Sequence, residues 1–328
     1  MKVLVTGAAG FIGSHLVDAL LARGDDVVAF GHHLQGGSLR GEVLARVQTF
    51  EADIFDAEAV TSAAQGCAAI YHCAAIVGVD AYGKQPARTM ETEEVGLRHV
   101  CRAALAQGAA APMVVYASSS AVYGHAGGDA GLDESIEVAP TSNYGIAKRY
   151  GELYLAAQHE EHGLASTAFR IFNIYGPRQD ERLVLPRFIR QALAGDPLEL
   201  FGAGDHTRDF VFVSDVVAAM LAASTFRNGH QIVNACSGEE TSVLALAQSV
   251  IRLTNSGSTI LHKPAPANRA AFEVARSFGG RTKLDRLFGP LPRTSLAAGL
   301  AQTIDAAVRQ RASRSAGSSA GSAAGSSA

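Results

Sequence analysis

Early in the chain an apolar run passes into a glycine turn and then into a helical stripe, a succession that few folds accommodate. Lys2-Val3-Leu4-Val5-Thr6 has the length and branching of a buried parallel strand. Gly7-Ala8-Ala9-Gly10-Phe11-Ile12-Gly13 follows, and Leu16, Leu20 and Leu21 then recur at helix spacing until Gly24. Val27-Val28-Ala29-Phe30 reads as a second strand and closes a β-α-β unit. The glycines have distinct physical roles. One allows the tight turn, one lets backbone approach a pyrophosphate, and one lets helix pack close to strand. The free N–H groups and positive dipole end of the helix complete a phosphate site. A structural strand-helix turn is the plainer reading, but the flanking elements favour a dinucleotide site. The unit predicts an α/β fold built on a doubly wound parallel sheet.

At 328 residues the chain can hold a large core, or one domain and a smaller companion. A net charge of −3 points to neither nucleic acid nor an anionic membrane as partner. No apolar run is long enough to span a bilayer, and the opening strand and phosphate turn predict no signal peptide. Cys67, Cys73, Cys101 and Cys236 lack metal-ligand spacing and disulfide density. Three of them sit in apolar stretches and predict core packing; a reducing cytoplasm is the expected compartment, with no metal site.

After the second strand, Gly31 stands where an NAD-selective site usually carries an acid for the ribose 2′-hydroxyl. Either that hydroxyl is held otherwise, or the missing carboxylate makes room for the 2′-phosphate of NADP, with His32, His33 and Arg40 nearby. Val47 to Phe50 reads as a third strand, and Asp53-Ile54 after it is expected to border the adenine. Ala68 to Ala75 reads as a fourth strand, whose terminal Ala74 and Ala75 let a cofactor ribose lie against backbone. His72 within it reads as a packed core histidine. A long helix is predicted from Pro86 to Gln107, then a fifth strand over Met113 to Ala117.

The fifth strand runs into Ser118-Ser119-Ser120-Ala121-Val122-Tyr123-Gly124. Serines in such a place often only satisfy loop backbone. Pro140-Thr141-Ser142-Asn143-Tyr144-Gly145-Ile146-Ala147-Lys148 changes that reading. A proline, capping residues and a helical pattern through Leu153 and Leu155 mark a helix start. Tyr144 and Lys148 stand one turn apart on one face of it.

With these residues the chain resembles the extended short-chain dehydrogenase/reductase superfamily, in its NAD(P)-dependent nucleotide-sugar epimerase and dehydratase branch, UDP-glucose 4-epimerase-like. The resemblance runs from Met1 to about Val308. It rests on Thr6-Gly7-x-x-Gly10-x-x-Gly13, Ser118-Ser119, Tyr144-x-x-x-Lys148, the run from Arg170 to Gln179, and Phe201-Gly202-x-Gly204-x-x-Thr207-Arg208-Asp209-Phe210-Val211. Two departures stand out: Gly31 replaces the usual acid, and Glu93 stands where the family usually has an asparagine on the long helix.

The resemblance implies a Rossmann-type sheet with a smaller C-terminal α/β substrate-binding lobe. Residues 1–172 would form the NAD(P)-binding domain, with 209–240 returning to it. Residues 173–208 and 241–310 would form the substrate lobe, and 311–328 a flexible Ser/Ala/Gly tail. Within this plan Ala165 to Ile171 is a sixth strand, Leu185 to Ala194 a helix and Leu198 to Phe201 a short strand. Asp209 to Val213 leads back toward the main domain, Asp215 caps a helix through Ala223, and Gln231 to Asn234 is a final strand.

The resemblance also implies site residues. Ser119, Tyr144 and Lys148 would be catalytic. Gly7, Gly10, Phe11, Ile12, Gly13, His32, Asp53, Ile54, Ala74, Ala75, Ser118, Tyr144, Lys148 and Ile171 would contact NAD, or NADP given Gly31. Asn173, Phe201, Arg208 and Arg269 would bind a nucleoside diphosphate sugar, in a homodimer. Chemistry supports the catalytic assignment. A tyrosine ionises near pH 10, and one unit charge at about 4 Å contributes on the order of 4 kcal/mol at intermediate dielectric. Lys148 and an oxidised nicotinamide would thus favour a Tyr144 phenolate. Epimerisation, at C4, is the first expectation. A dehydrogenase or reductase, a dehydratase or a decarboxylase is the alternative, and a non-catalytic NADP sensor the outsider. Dehydratases of this family place an Asp-Glu pair after the active-site hydroxyl residue, and the decarboxylases a glutamate in the second position; here Ser120 and Ala121 follow Ser119.

Overall fold

A central sheet of seven parallel strands divides the apolar side chains into two layers. The structure is a computed structural model and describes residues 1–76, 86–125, 131–264 and 274–323. The first half alternates strand and helix: β1 (Lys2–Thr6), α1 (Phe11–Ala22), β2 (Asp26–Gly31), α2 (Gly41–Leu44), β3 (Gln48–Glu51), α3 (Ala57–Ala64) and β4 (Ala69–His72). Then come α4 (Pro86–Leu105), β5 (Met113–Ser119), α5 (Asn143–His162), β6 (Ser166–Ile171) and β7 (Asn173–Tyr175). The rest comprises α6 (Val184–Ala194), β8 (Leu198–Phe201), β9 (Thr207–Phe212), α7 (Val213–Ala223), β10 (His230–Ala235), β11 (Glu240–Ser242) and α8 (Val243–Leu253). Last are β12 (Ile260–Lys263), β13 (Arg276–Ser277), α9 (Thr282–Phe288) and α10 (Leu296–Ala323).

The strand order β10-β6-β5-β4-β1-β2-β3 is that of a doubly wound Rossmann-type sheet. Strand alternation sorts the core. Leu4, Val28, Ile70 and Val114 join Val60 of α3, Leu97 and Val100 of α4 and Leu155 of α5 in one layer. Val3, Val5, Val27 and Val115 join Leu16 and Leu20 of α1 and Val216 and Met220 of α7 in the other. Because β2 and β4 flank β1 on opposite sides, the chain reverses there. A crevice outside the carboxyl ends of β1 and β4 is the outcome.

A smaller sheet pairs β7 with β9, and β9 with β11 and β13; β8 and β12 form a separate parallel pair. Sequence reading places Asp209 to Val213 on a return to the main domain. Instead β9 belongs to the small sheet, and the return is made by α7 and β10, which pairs with β6. Asp215 is not a helix cap. It lies inside the first turn of α7, where its carboxylate accepts the Thr294 backbone N–H at 2.6 Å and the Thr294 hydroxyl at 2.7 Å. The fourth strand stops at His72 rather than at Ala75, since Ala74 N–H turns to the Thr6 hydroxyl at 3.3 Å. The expected flexible tail from residue 311 is helical through Ala323 as part of α10. Arg311 anchors the helix by donating to the Leu193 carbonyl at 2.6 Å.

Candidate active site

The glycine turn is shaped by contact. Gly7 has φ +65°, and a Cβ there would lie 2.8 Å from the Ala74 backbone. A Cβ on Gly13 would collide with the Gly7 carbonyl oxygen and lie 2.9 Å from Ala8 Cα. The turn is closed by Gly10 N–H donating to Gly7 O at 2.9 Å, and α1 begins at Phe11 with no side-chain cap at Gly10. An uncapped helix start above a cradle with no room for side chains fits a dinucleotide pyrophosphate. Phe11 and Ile12 supply the first helical N–H groups.

The residues expected near the adenosine ribose are less committed. Gly31 closes β2, and His32 and His33 beyond it are exposed, their rings edge-on at 4.6 Å. Arg40 pairs with Glu42 at 3.2 Å on the surface. Asp53 accepts the Phe55 N–H at 3.1 Å and pairs with Arg88 at 3.1 Å. Ile54 is buried, and it limits the space at Gly96 of α4. Ala74 and Ala75 are half-buried at the mouth of the β1–β4 crevice.

At the end of β5 the predicted trio meets. Ser142 caps α5 by accepting the Gly145 N–H at 3.1 Å. Gly145 lets the helix start press on the turn after Ser119, where a Cβ would collide with the Ala121 carbonyl oxygen. This brings Tyr144 to Ser119, whose hydroxyl hydrogen-bonds the phenol, and sets the Lys148 Nζ 5.7 Å from the Tyr144 ring centroid. Lys148 is buried and ion-paired at 2.6 Å with Glu93 of α4, which is also buried. The second Glu93 oxygen accepts the Tyr116 hydroxyl at 3.0 Å.

Without a nicotinamide, the groups around Tyr144 act on it in opposite directions. Burial pushes the Tyr144 phenol up; Lys148 and Ser119 pull it back, Glu93 opposes them, and the net direction is upward. Burial alone would lower the Lys148 ammonium, but Glu93 reverses the sign and holds it above its ordinary value. His72 behaves as the predicted core histidine: burial lowers it to about 3, Lys148 adding to the effect, and its Nδ1 meets the Thr6 hydroxyl at 2.8 Å. The four cysteines are free, and among the described residues no cluster of potential metal ligands forms.

Neighbouring Ser118 and Ser119 have opposite surroundings. The Ser118 hydroxyl donates to the Glu152 carboxylate at 2.8 Å. Arg170 grips the same carboxylate with two bonds of 2.9 Å, and Arg149 adds one of 3.0 Å. The Ser118 hydroxyl thus ties β5 to α5. Ile171 lies beside Ser119 in register across β5 and β6.

Of the residues expected to bind substrate, Asn173 is exposed at the start of β7. Phe201 ends β8, its ring 5.5 Å from the Arg187 guanidinium carbon. The Arg208 guanidinium donates to the Thr207 and Val274 carbonyls, each at 2.7 Å. Arg269 lies outside the described residues. Glu152 and Asp209 are given no site role by the sequence. The buried Asp209 carboxylate gathers the Ser237, Gly238 and Gly279 N–H groups and so joins β9 to the segments after β10 and before α9.

A glycine phosphate turn at the switch point of a parallel sheet, with serine, tyrosine and lysine gathered beside it, defines a nicotinamide-dependent enzyme of the short-chain dehydrogenase type. Residues 3–236 match the NAD dependent epimerase/dehydratase family, and the chain belongs to it. It is 34% identical to UDP-N-acetyl-alpha-D-glucosaminuronate decarboxylase of Bacillus cytotoxicus, across 92% of this chain and 96% of that protein. It is also 34% identical to UDP-glucose 4-epimerase of Mycolicibacterium smegmatis, across 93% and 98%. The crystal structure of UDP-glucose 4-epimerase with UDP-glucose from Thermotoga maritima superposes with a TM-score of 0.87 at 30% identity, covering 94% of this chain and 99% of that one.

Proposed function

We propose that the chain is a nucleotide-sugar epimerase, inverting C4 of a UDP-hexose. Tyr144 takes the proton of the sugar hydroxyl and later returns it. Ser119 hydrogen-bonds the same oxygen, and Lys148 holds the nicotinamide ribose. Bound NAD supplies the acceptor and donor of hydride. Gly7, Gly10 and Gly13 hold its pyrophosphate, with Phe11 and Ile12 at the helix start. Ala74, Ala75 and Ile171 border the nicotinamide end, and Asp53 and Ile54 the adenine end.

One observation carries the choice of reaction: no carboxyl group follows Ser119, since Ser120 and Ala121 occupy those positions. Glu93 on the long helix, which could reach the site in their place, is engaged with Lys148. An acid to expel water or to assist loss of a carboxylate is therefore lacking at that place, whereas epimerisation needs only the trio and room for the sugar to turn. Asn173 and Arg208, assisted by Arg269, hold the substrate pyrophosphate, and Phe201 packs on the base. With Gly31 in place of an acid and His32 beside it, NAD is favoured over NADP only modestly.

The exposed apolar residues Met90 of α4 and Ile146 and Leu153 of α5 suit a homodimer through that helix pair. Among the described residues no helix is long and apolar enough to cross a membrane, and four free cysteines suit a reducing cytoplasm. The test is incubation of the purified protein with a panel of nucleotide sugars, with and without added NAD or NADP, followed by NMR of the products. Interconversion of C4 epimers with no net change of cofactor is expected. A decarboxylated sugar or a 4-keto-6-deoxy sugar would overturn the assignment.

A further inference from the structure

The ion pair between Glu93 and Lys148 is the least expected feature around the trio. The resemblance leads one to expect an amide at residue 93; a carboxylate stands there, almost fully buried, 2.6 Å from the lysine nitrogen. A buried ion pair is a poor stabilising device, because desolvating both charges offsets most of their attraction. An apolar pair of similar size would hold α4 to α5 at least as well. What the pair does change is the charge that Tyr144 meets.

The surroundings define that charge. From the end of β4, His72 faces the pair as a neutral imidazole, and just beyond the strand Cys73 does so as a thiol that burial pushes up to about 12, Lys148 opposing. From β5 come Tyr116, its ring 5.0 Å from the lysine nitrogen and its phenol held well above its ordinary value by burial, and the Ser119 hydroxyl. Glu152 acts on Tyr116 from α5 but is itself engaged by Ser118, Arg170 and Arg149. Beside Tyr144, then, the opposed charges are those of the ion-paired Lys148 and Glu93. Their sum is zero.

We propose that Glu93 is a positioning residue which, through this ion pair, fixes the Lys148 ammonium and neutralises the field it exerts on Tyr144. The inference rests on Tyr144 being the base. It assigns the acid at residue 93 a role in setting how readily that base loses its proton. With an amide there, the lysine would act on the phenol as an unopposed cation. With the carboxylate, the phenol holds its proton to higher pH.

The test is the NMR signal of the Tyr144 side chain, identified by its loss in Tyr144→Phe, followed against pH in the NAD-bound protein alongside the pH dependence of turnover. Glu93→Gln should lower the ionisation midpoint of Tyr144 by about one pH unit or more, that is, about tenfold in proton affinity. The acid limb of turnover should move with it. Glu93→Asn, the shorter amide, carries the same expectation should the glutamine variant fail to fold. Glu93→Asp keeps the charge and should return the midpoint toward the wild-type value. A purely structural Glu93 would lower stability and turnover with the midpoint unmoved, and that result overturns the proposal. The NMR midpoint does not depend on turnover, so it reports on Glu93 even if Tyr144→Phe retains activity and the base is another group.

Discussion

Replacing Glu152 by leucine should cost the fold about 3–5 kcal/mol, the range for stripping one partner from a buried ion pair. The carboxylate is fully buried, and its partner Arg170 is 3% exposed at the side chain. Loss of the acid removes both 2.9 Å bonds from that guanidinium and the 2.8 Å bond from Ser118. Arg170 would keep its place over the Tyr123 ring, 4.7 Å from the centroid, which offsets about 1–2 kcal/mol at most. Arg149 is more exposed, 29% at the side chain, so Arg149→Ala should cost less than about 1 kcal/mol. The decisive variant combines Glu152→Leu with Arg170→Met, leaving no charge to strand. It should recover at least about 2 kcal/mol relative to the sum of the single losses. Since the chain has no tryptophan, unfolding in urea is best followed by far-ultraviolet circular dichroism. Single losses that add to within about 0.5 kcal/mol in the double variant would refute the coupling.

Other expectations are simpler. Tyr144→Phe should lower turnover by about 10²–10⁴-fold with NAD affinity nearly unchanged in calorimetry; retention of more than about a tenth of the rate would remove Tyr144 as base. Gly13→Ala should abolish NAD binding while the far-ultraviolet spectrum is kept, because the new methyl group meets the Gly7 carbonyl oxygen; undiminished affinity would show that the cradle lies elsewhere. Arg208→Ala should raise KM far more than it lowers kcat, and equal losses in both would deny it a substrate role. Burial lowers His72 to about 3 and His230 to about 4, against 6.5 unfolded. Between those values the unfolded chain binds more protons, so stability is full above about pH 6.5 and falls on acidification toward pH 4. Urea midpoints that stay level from pH 7 to about 5 would contradict this.

The part of the fold legible in the sequence is the part with local signals. The turn from Gly7 to Gly13 marks its own strand and helix, and a spacing of four puts Tyr144 and Lys148 on one face. The small sheet was not legible, since β7, β9, β11 and β13 are short, partly polar and recruited from distant segments. Nor did adjacency separate Ser118 from Ser119, whose side chains meet different partners. For Glu93 a signal existed. It continues the stripe of Leu97, Val100 and Ala104, all buried, so helix periodicity carries it inward. Which group it meets there depends on the packing of α4 on α5, which no spacing within α4 encodes.

The position of β10 at the margin of the large sheet also has a bearing on how the nascent chain becomes a protein. β10 is the last of the seven strands to be synthesised, after the excursion through β7 to α7. Until it emerges from the ribosome, β6 is the outermost strand, and all six of its residues are buried in the finished molecule. A bare strand of that kind is a template for any other extended chain, and parallel pairing of distant segments is slow. The interval between release of Ile171 and arrival of His230 is therefore one in which a strand destined for burial stands without its neighbour. Chains that end before His230 should collect as insoluble aggregate and not as folded cofactor-binding halves.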